Sequence, residues 1–269
     1  MEATSVYHES LAYALHGAGM QVYVANPLRV KDFARSEGQR NKTDQRDALT
    51  LALFVAQKQP RLIAWRPEAP EVRHLRALIT RIDALEKDLQ RESNRQEKSL
   101  ANDTTPVVLA SIEAIIAALK AEIKRLQKDV DDHINRHPKL KSDRALLESI
   151  PGIAAVTSLQ LLTVLHSKTF HSARQLAAYL GLTPAQYSSG SSIHKPSRIG
   201  KAGSGTVRHK LYMAAITAAT YNPDVHALKQ RLQAKGKSGK AIIIAAMRRL
   251  VHIAFGVIKH QSTYTPQTS

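Results

Sequence analysis

Two heptad seams in the middle of the chain limit its architecture more than any other feature. Leu75, Leu78, Ile82, Leu85 and Leu89 alternate three and four apart between Pro70 and Leu100. Such spacing is the stripe of a helix that packs along another helix. A turn signal follows from Asn102 to Pro106 (N-D-T-T-P), and then a second seam at Ile112, Ile116, Leu119, Ile123, Leu126, Val130 and Ile134. Two such helices joined by a short turn predict an antiparallel coiled-coil arm, each helix about 45 Å long for a rise of roughly 1.5 Å per residue. The arm, residues 69–137, separates a first segment, 1–68, from a last one, 138–269. It reads as a spacer that also supplies a dimer contact, since Arg91 to Ser99 is polar and cannot extend the first seam. His133 and His137 stand four apart with no third ligand near them in sequence, and read as surface histidines.

The first segment has the pattern of an α/β unit. Val6, Leu11, Ala14 and Leu15 recur at helical spacing up to Gly17 or Gly19, and Gln21 to Ala25 (Q-V-Y-V-A) reads as a short buried strand stopped by Asn26-Pro27. Only Met1 and Glu2 precede the helix, too little to complete a sheet, so the expectation is a chain shortened at its start. A second helix follows Thr43, its expected N-cap, with Ala48, Leu49, Leu51, Ala52, Leu53, Val55 and Ala56 as apolar positions. Asp44 and Asp47, three apart in its first turn, share one face. Acidic groups there suit the helix dipole. They also suit a hard cation such as Mg²⁺, for which carboxylate oxygens are the natural ligands. Glu2 is the candidate third ligand.

Charge is divided unevenly. Residues 1–137 carry 21 Lys and Arg against 19 Asp and Glu, a balance of +2; residues 138–269 carry 18 against 3, a balance of +15. A polyanion partner is implied, and mainly for the second half. The absence of cysteine excludes a disulfide framework and cysteine-bound zinc, and suits the cytosol. No run reads as a membrane span. Leu146 to Leu165 sets the Pro151-Gly152 turn between two apolar helical stretches, as in a helix-hairpin-helix, whose turn amides bind a DNA phosphate near Gly152. The alternative is a packed corner of two helices. Pro184 to Ala215 is rich in Ser, Gly and cations and holds no acid. A loop of that kind offers amides, charged tips (Lys195, Arg198, Lys201, Arg208, Lys210) and nucleophilic hydroxyls to phosphates. Cations at the start of the following helix oppose its dipole, which points to an anionic ligand. After Lys259 the tail is polar and is expected to fray.

Taken in order, E-A-T-S-V-Y, N-P with K-T-D-Q-R-D-A, I-P-G-I, G-L-T-P with S-S-G, and G-K-A-G-S followed by V-R and A-A resemble a DEDD-type bacterial insertion-sequence transposase of the one-hundred-and-ten family, related to the pilin-gene invertases. The resemblance covers nearly the whole chain. It implies a fold that is α/β plus mainly α: a shortened RNase H/RuvC-like remnant, the coiled-coil arm, and a helical C-terminal transposase domain with a helix-hairpin-helix-like segment. It implies Mg²⁺ held by Glu2, Asp44 and Asp47, the family's first aspartate having no counterpart. Ser189 matches the nucleophile, with Ser188 its close competitor. DNA, a structured guide RNA and further copies of the chain (a dimer or tetramer) are the implied partners, with the cytoplasm beside the nucleoid as the place of action and no membrane. Ser5 stands where the family has glycine, and Ser204 where asparagine is common.

The expected function is therefore DNA cutting and joining with a serine nucleophile. The rivals are a nucleic-acid-binding fragment without catalysis, and a metal-dependent nuclease that uses water.

Overall fold

A computed structural model describes residues 1–3, 7–39, 43–58, 62–102, 105–189, 193–200 and 203–267, with the backbone alone described over 185–189 and 193–198. The chain gathers into two compact units, Met1–Glu68 and Ala69–Ser269. The arm itself belongs with the helices that follow it.

The first unit holds α1 (Tyr7–Gly17), α2 (Pro27–Ser36) and α3 (Asp44–Lys58), and α2 and α3 pack together around a small cluster of Ala25, Val30, Phe33 and Phe54. Asn26-Pro27 was expected only to end a strand. It also starts α2: the Asn26 carboxamide oxygen accepts from the Leu28 amide at 2.8 Å, and Pro27 takes the first turn, where no N–H is needed. The expected strand at 21–25 is reduced to one parallel bridge, Glu2 to Ala25, with Ala3 N–H donating to the Ala25 carbonyl and Ala25 N–H to that of Met1. Among the described residues no longer ladder forms there.

In the second unit, α4 (Pro70–Ala101) and α5 (Pro106–Arg136) lie antiparallel. The start of α4 meets the end of α5 where the His133 ring nitrogen contacts the Glu71 carbonyl at 2.8 Å, and the far ends meet where Gln96 donates to Glu113. The buried seam of α4 is Val72, Leu75, Ile79, Ile82 and Leu85, and it stops there, before the polar stretch. α6 (Pro138–Glu148) packs on α5 and α7 (Ala155–Ser167) on α4, and α8 (Ala173–Tyr179), α9 (Gly205–Tyr221), α10 (Pro223–Ala234) and α11 (Gly239–His260) build outward from these. Their shared core includes Leu161, Leu176, Leu211, Ala215, Ala218 and Leu250. Alanines on α9 let neighbouring backbone approach closely. α11 is long and apolar enough to cross a membrane by length and composition, contrary to the sequence reading, but its apolar side packs on α8, α9 and α10.

The Ser- and Gly-rich stretch also departs from expectation. It is not a loop but an antiparallel hairpin of β1 (Pro184–Ser189) and β2 (Ile193–Ile199). Register slips between Ala185 and Tyr187, where two steps on β1 face three on β2. Pro196 lies within that extra length, and a proline has no N–H to give to a ladder. The C-terminal tail is strapped down rather than frayed. Tyr264 donates through its hydroxyl to Asp224 at 2.7 Å and through its amide to the Ser149 hydroxyl at 2.9 Å.

Candidate functional site

The acidic residues belong to the first unit. Thr43 caps α3, accepting from the Arg46 amide through its hydroxyl, as expected. Asp44 is exposed and Asp47 half-buried in the first turn of that helix. Glu2 is held by the bridge to Ala25. Among the described residues no three His, Cys, Asp or Glu side chains come together as a metal-binding group, so the structure does not gather Glu2, Asp44 and Asp47 into one cage. Two carboxylates one turn apart remain a fit for Mg²⁺, which takes one or two protein carboxylates and fills its other positions with water and phosphate.

Ser188 and Ser189 end β1, with Ser189 opposite Ile193 and Ser188 opposite His194 in the register. The side chains of Ser189, Lys195 and Arg198 lie outside the described part of the structure, and Lys201 lies outside the described residues altogether. Gly203 follows, with φ +74; a Cβ there would stand 2.2 Å from the Tyr179 carbonyl, so the exit of the hairpin is pressed against the end of α8. Ser204 then caps α9 through Val207 N–H, a task that asparagine performs equally well.

Three of the expected nucleic-acid contacts are turned inward instead. Lys210 donates to Asp83 at 2.5 Å and to Glu86 at 3.2 Å, both on α4, and Asp83 is also bonded by Gln160 of α7. Burial alone would lower the pKa of this ammonium, but the two carboxylates outweigh it and hold it above the ordinary lysine value. Arg208 donates to the carbonyls of Leu180 and Gly203. The anion that these helix-start cations answer thus includes the protein's own acids and carbonyls. Gly152, with φ +99, faces α9 so closely that a Cβ would lie 2.6 Å from that of Ala218. Asn222 adds a hydrogen bond to the Pro151 carbonyl. The Pro-Gly turn is therefore the packed corner rather than an open phosphate loop.

One group escaped the sequence reading. The ring of His74 of α4 lies against that of His133, and His133 against His137, at tilted angles with ring centres 4.7 and 4.3 Å apart. They line a shallow depression of about 480 Å³ with Pro70, Glu71 and Arg136. The third histidine comes from the antiparallel neighbour, 59 positions before His133, a proximity that local spacing does not carry. Burial, chiefly, and the neighbouring histidines and Arg136 lower the pKa of His133 despite its bond to the Glu71 carbonyl.

Comparison with known proteins gives two family matches. A model described as the transposase IS116/IS110/IS902 family matches residues 144–230, and a DEDD transposase model of the IS110 type matches residues 1–102. The chain is 35% identical to the pilin gene-inverting protein of Moraxella lacunata over 272 residues, which cover 98% of this chain and 80% of that protein. The counterpart from Moraxella bovis is 34% identical over the same shares. The transposase for insertion sequence element IS1111A of Coxiella burnetii is 26% identical, over 65% of this chain and 53% of its own length.

Proposed function

The chain belongs to the IS110 family of transposases, and from that premise we propose that it cuts and rejoins DNA through Ser189. Insertion-sequence transposition is the activity of the family. Similarity along almost the whole chain to proteins named for inverting a pilin gene carries the extension to conservative strand exchange. In the proposed step the Ser189 oxygen attacks phosphorus, a serine–phosphodiester bond forms, and the bond from phosphorus to one sugar oxygen breaks. The serine proton passes to solvent, and the departing sugar oxygen takes one up. A hydroxyl of the recipient strand reverses the step and frees the serine. Ser189 supports this role by its place at the end of β1, next in sequence to Gly190 in the S-S-G motif.

Asp44 and Asp47, with Glu2 if it is brought to them, are the residues proposed to hold Mg²⁺; a dication there neutralises phosphate charge and polarises a phosphoryl oxygen. Lys195, Arg198 and Lys201 offset charge around the reacting phosphate. A structured RNA reads sequence by base pairing while the protein holds backbone. A second copy docks along α5, which leaves Val107, Val108 and Ile115 exposed on its distal half. The work is done in the cytoplasm at the nucleoid.

The deciding experiment uses a supercoiled donor plasmid and a denaturing gel. Wild-type protein leaves a covalent protein–DNA adduct and exchanges strands. Ser189→Ala loses both while Ser188→Ala keeps them, and strand exchange by the Ser189→Ala protein would refute the assignment. The separation of Glu2 from Asp44 and Asp47 favours one rival, a chain that binds nucleic acid without cutting it. Absence of Mg²⁺-dependent cleavage with binding intact would establish that rival.

A further inference from the structure

Residues 138–269 contain three carboxylates against eighteen lysines and arginines, and the fold commits all three. Asp143 is bonded by Lys139, His166 and Gln261, Glu148 by Arg144 and Ser158, and Asp224 by Arg249 and Tyr264. Cations elsewhere in this half have no acid of their own segment left to meet. The contact of α8 with α11 shows where that matters most. His252 of α11 has its Nε2 buried without a hydrogen-bond partner among the described residues. One turn earlier on the same helix stands Arg248, half-buried, and Arg174 of α8 is exposed. Neither arginine has a carboxylate partner among the described residues. Arg249 also lies near but is matched by Asp224 at 2.9 Å. Burial first, and then Arg248, Arg249 and Arg174, keep the His252 ring below the ordinary histidine pKa.

Guanidinium groups without carboxylate partners beside a contact of two helices are a cost to the free protein. An orphaned ring nitrogen adds to it. Both costs fall when an anion with several oxygens arrives, because guanidinium groups pair with phosphate through two parallel hydrogen bonds. Basic half-chain, committed acids and an unpartnered ring nitrogen converge on one seam. We propose that Arg174 and Arg248, with His252 between α8 and α11, grip a phosphate of the nucleic-acid backbone. This rests on the transposase reading and assigns to it a contact surface distinct from the hairpin. The site holds charge and an N–H but offers no array for reading base edges, so it positions the strand rather than specifying it.

The test is equilibrium binding of the full chain to a DNA duplex of about 30 base pairs, and to an RNA hairpin of the same sequence, across a salt series. Arg174→Ala/Arg248→Ala is compared with Lys120→Ala, which removes charge from another helix. The expected result is an affinity at least tenfold weaker for the double variant and a log–log salt slope shallower by about two, uniformly across sequences. The probe that shows the larger loss, duplex or hairpin, is the strand seated there. Thermal melts check folding, and Arg174→Gln with Arg248→Gln gives the same reading if the alanine variant is unstable. Unchanged affinity and slope in a wild-type protein that binds well would overturn the seam alone. A wild-type protein that binds neither probe would overturn the transposase reading with it.

Discussion

At the scale of single residues, sequence told which side chains are special but not what they meet. Gly152 and Lys210 both looked like phosphate contacts. In the fold Gly152 is needed because α9 passes too close for a Cβ, and Lys210 because α4 presents Asp83 and Glu86. Both partners are far away in sequence, so no local pattern could name them. Gly152→Ala should therefore destabilise the protein by about 2–4 kcal/mol, the sum of a strained backbone and an overpacked contact. Denaturant unfolding checks it, and a loss confined to DNA binding would restore the phosphate-loop reading. Lys210→Ala leaves two half-buried carboxylates unmatched and should cost about 1–3 kcal/mol. Adding Asp83→Asn to Lys210→Ala should recover part of that loss, a coupling that a lysine free for DNA would not show.

At the scale of elements, the helices were the most legible part. The seams at 75–89 and 112–134 became α4 and α5, because three-and-four spacing has one cheap solution. Proline marks were only half understood. Asn26-Pro27 looked like a stop, yet Asn26 caps the helix that Pro27 opens; Asn222 does the same before Pro223, so that α10 follows α9 with no intervening loop. The hairpin of β1 and β2 was missed because its residues are polar and its partner strand is itself. The tail was missed for a different reason: Tyr264 is one aromatic in a polar stretch, and only the buried Asp224 gives it a place. Burial would raise the Asp224 pKa, but Tyr264, Arg249 and the Gln267 amide bring it below the ordinary carboxylate value, while burial and Asp224 push the Tyr264 phenol up to about 12. Tyr264→Phe removes a hydrogen bond to a charged group and should cost about 1.5–3 kcal/mol in unfolding free energy. If it unfolds as wild type does, the strap contributes nothing.

At the scale of the whole molecule, two ionic balances govern behaviour. His133 and His252 have folded pKa values below the unfolded one, so the unfolded chain binds more protons in that range. Stability therefore rises with pH, is fully present above about 6.5, and is lost as pH falls through the lowered folded values. Asp143 and Asp224 are also lowered, which adds a second loss below about 4 by the same sign. Melting temperature should accordingly drop between pH 7 and 5, with His133→Gln flattening part of the fall; a rise over that interval would contradict it. The other balance is the division of charge, +2 before residue 138 and +15 after it. Nucleic acid exchanges its condensed counterions for protein cations, so each engaged lysine adds about 0.9 to the log–log salt slope on duplex DNA. Lys235, Lys237 and Lys240 are exposed around the turn from α10 to α11, whereas Lys31, Lys87 and Lys120 are equally exposed but lie in the balanced part. Replacing the first three by alanine should flatten the slope for a non-specific duplex by about two or more, and replacing the second three should leave it nearly unchanged. Equal slopes for the two triple variants would mean that the duplex is held by net charge spread over the whole chain, and not by its C-terminal half.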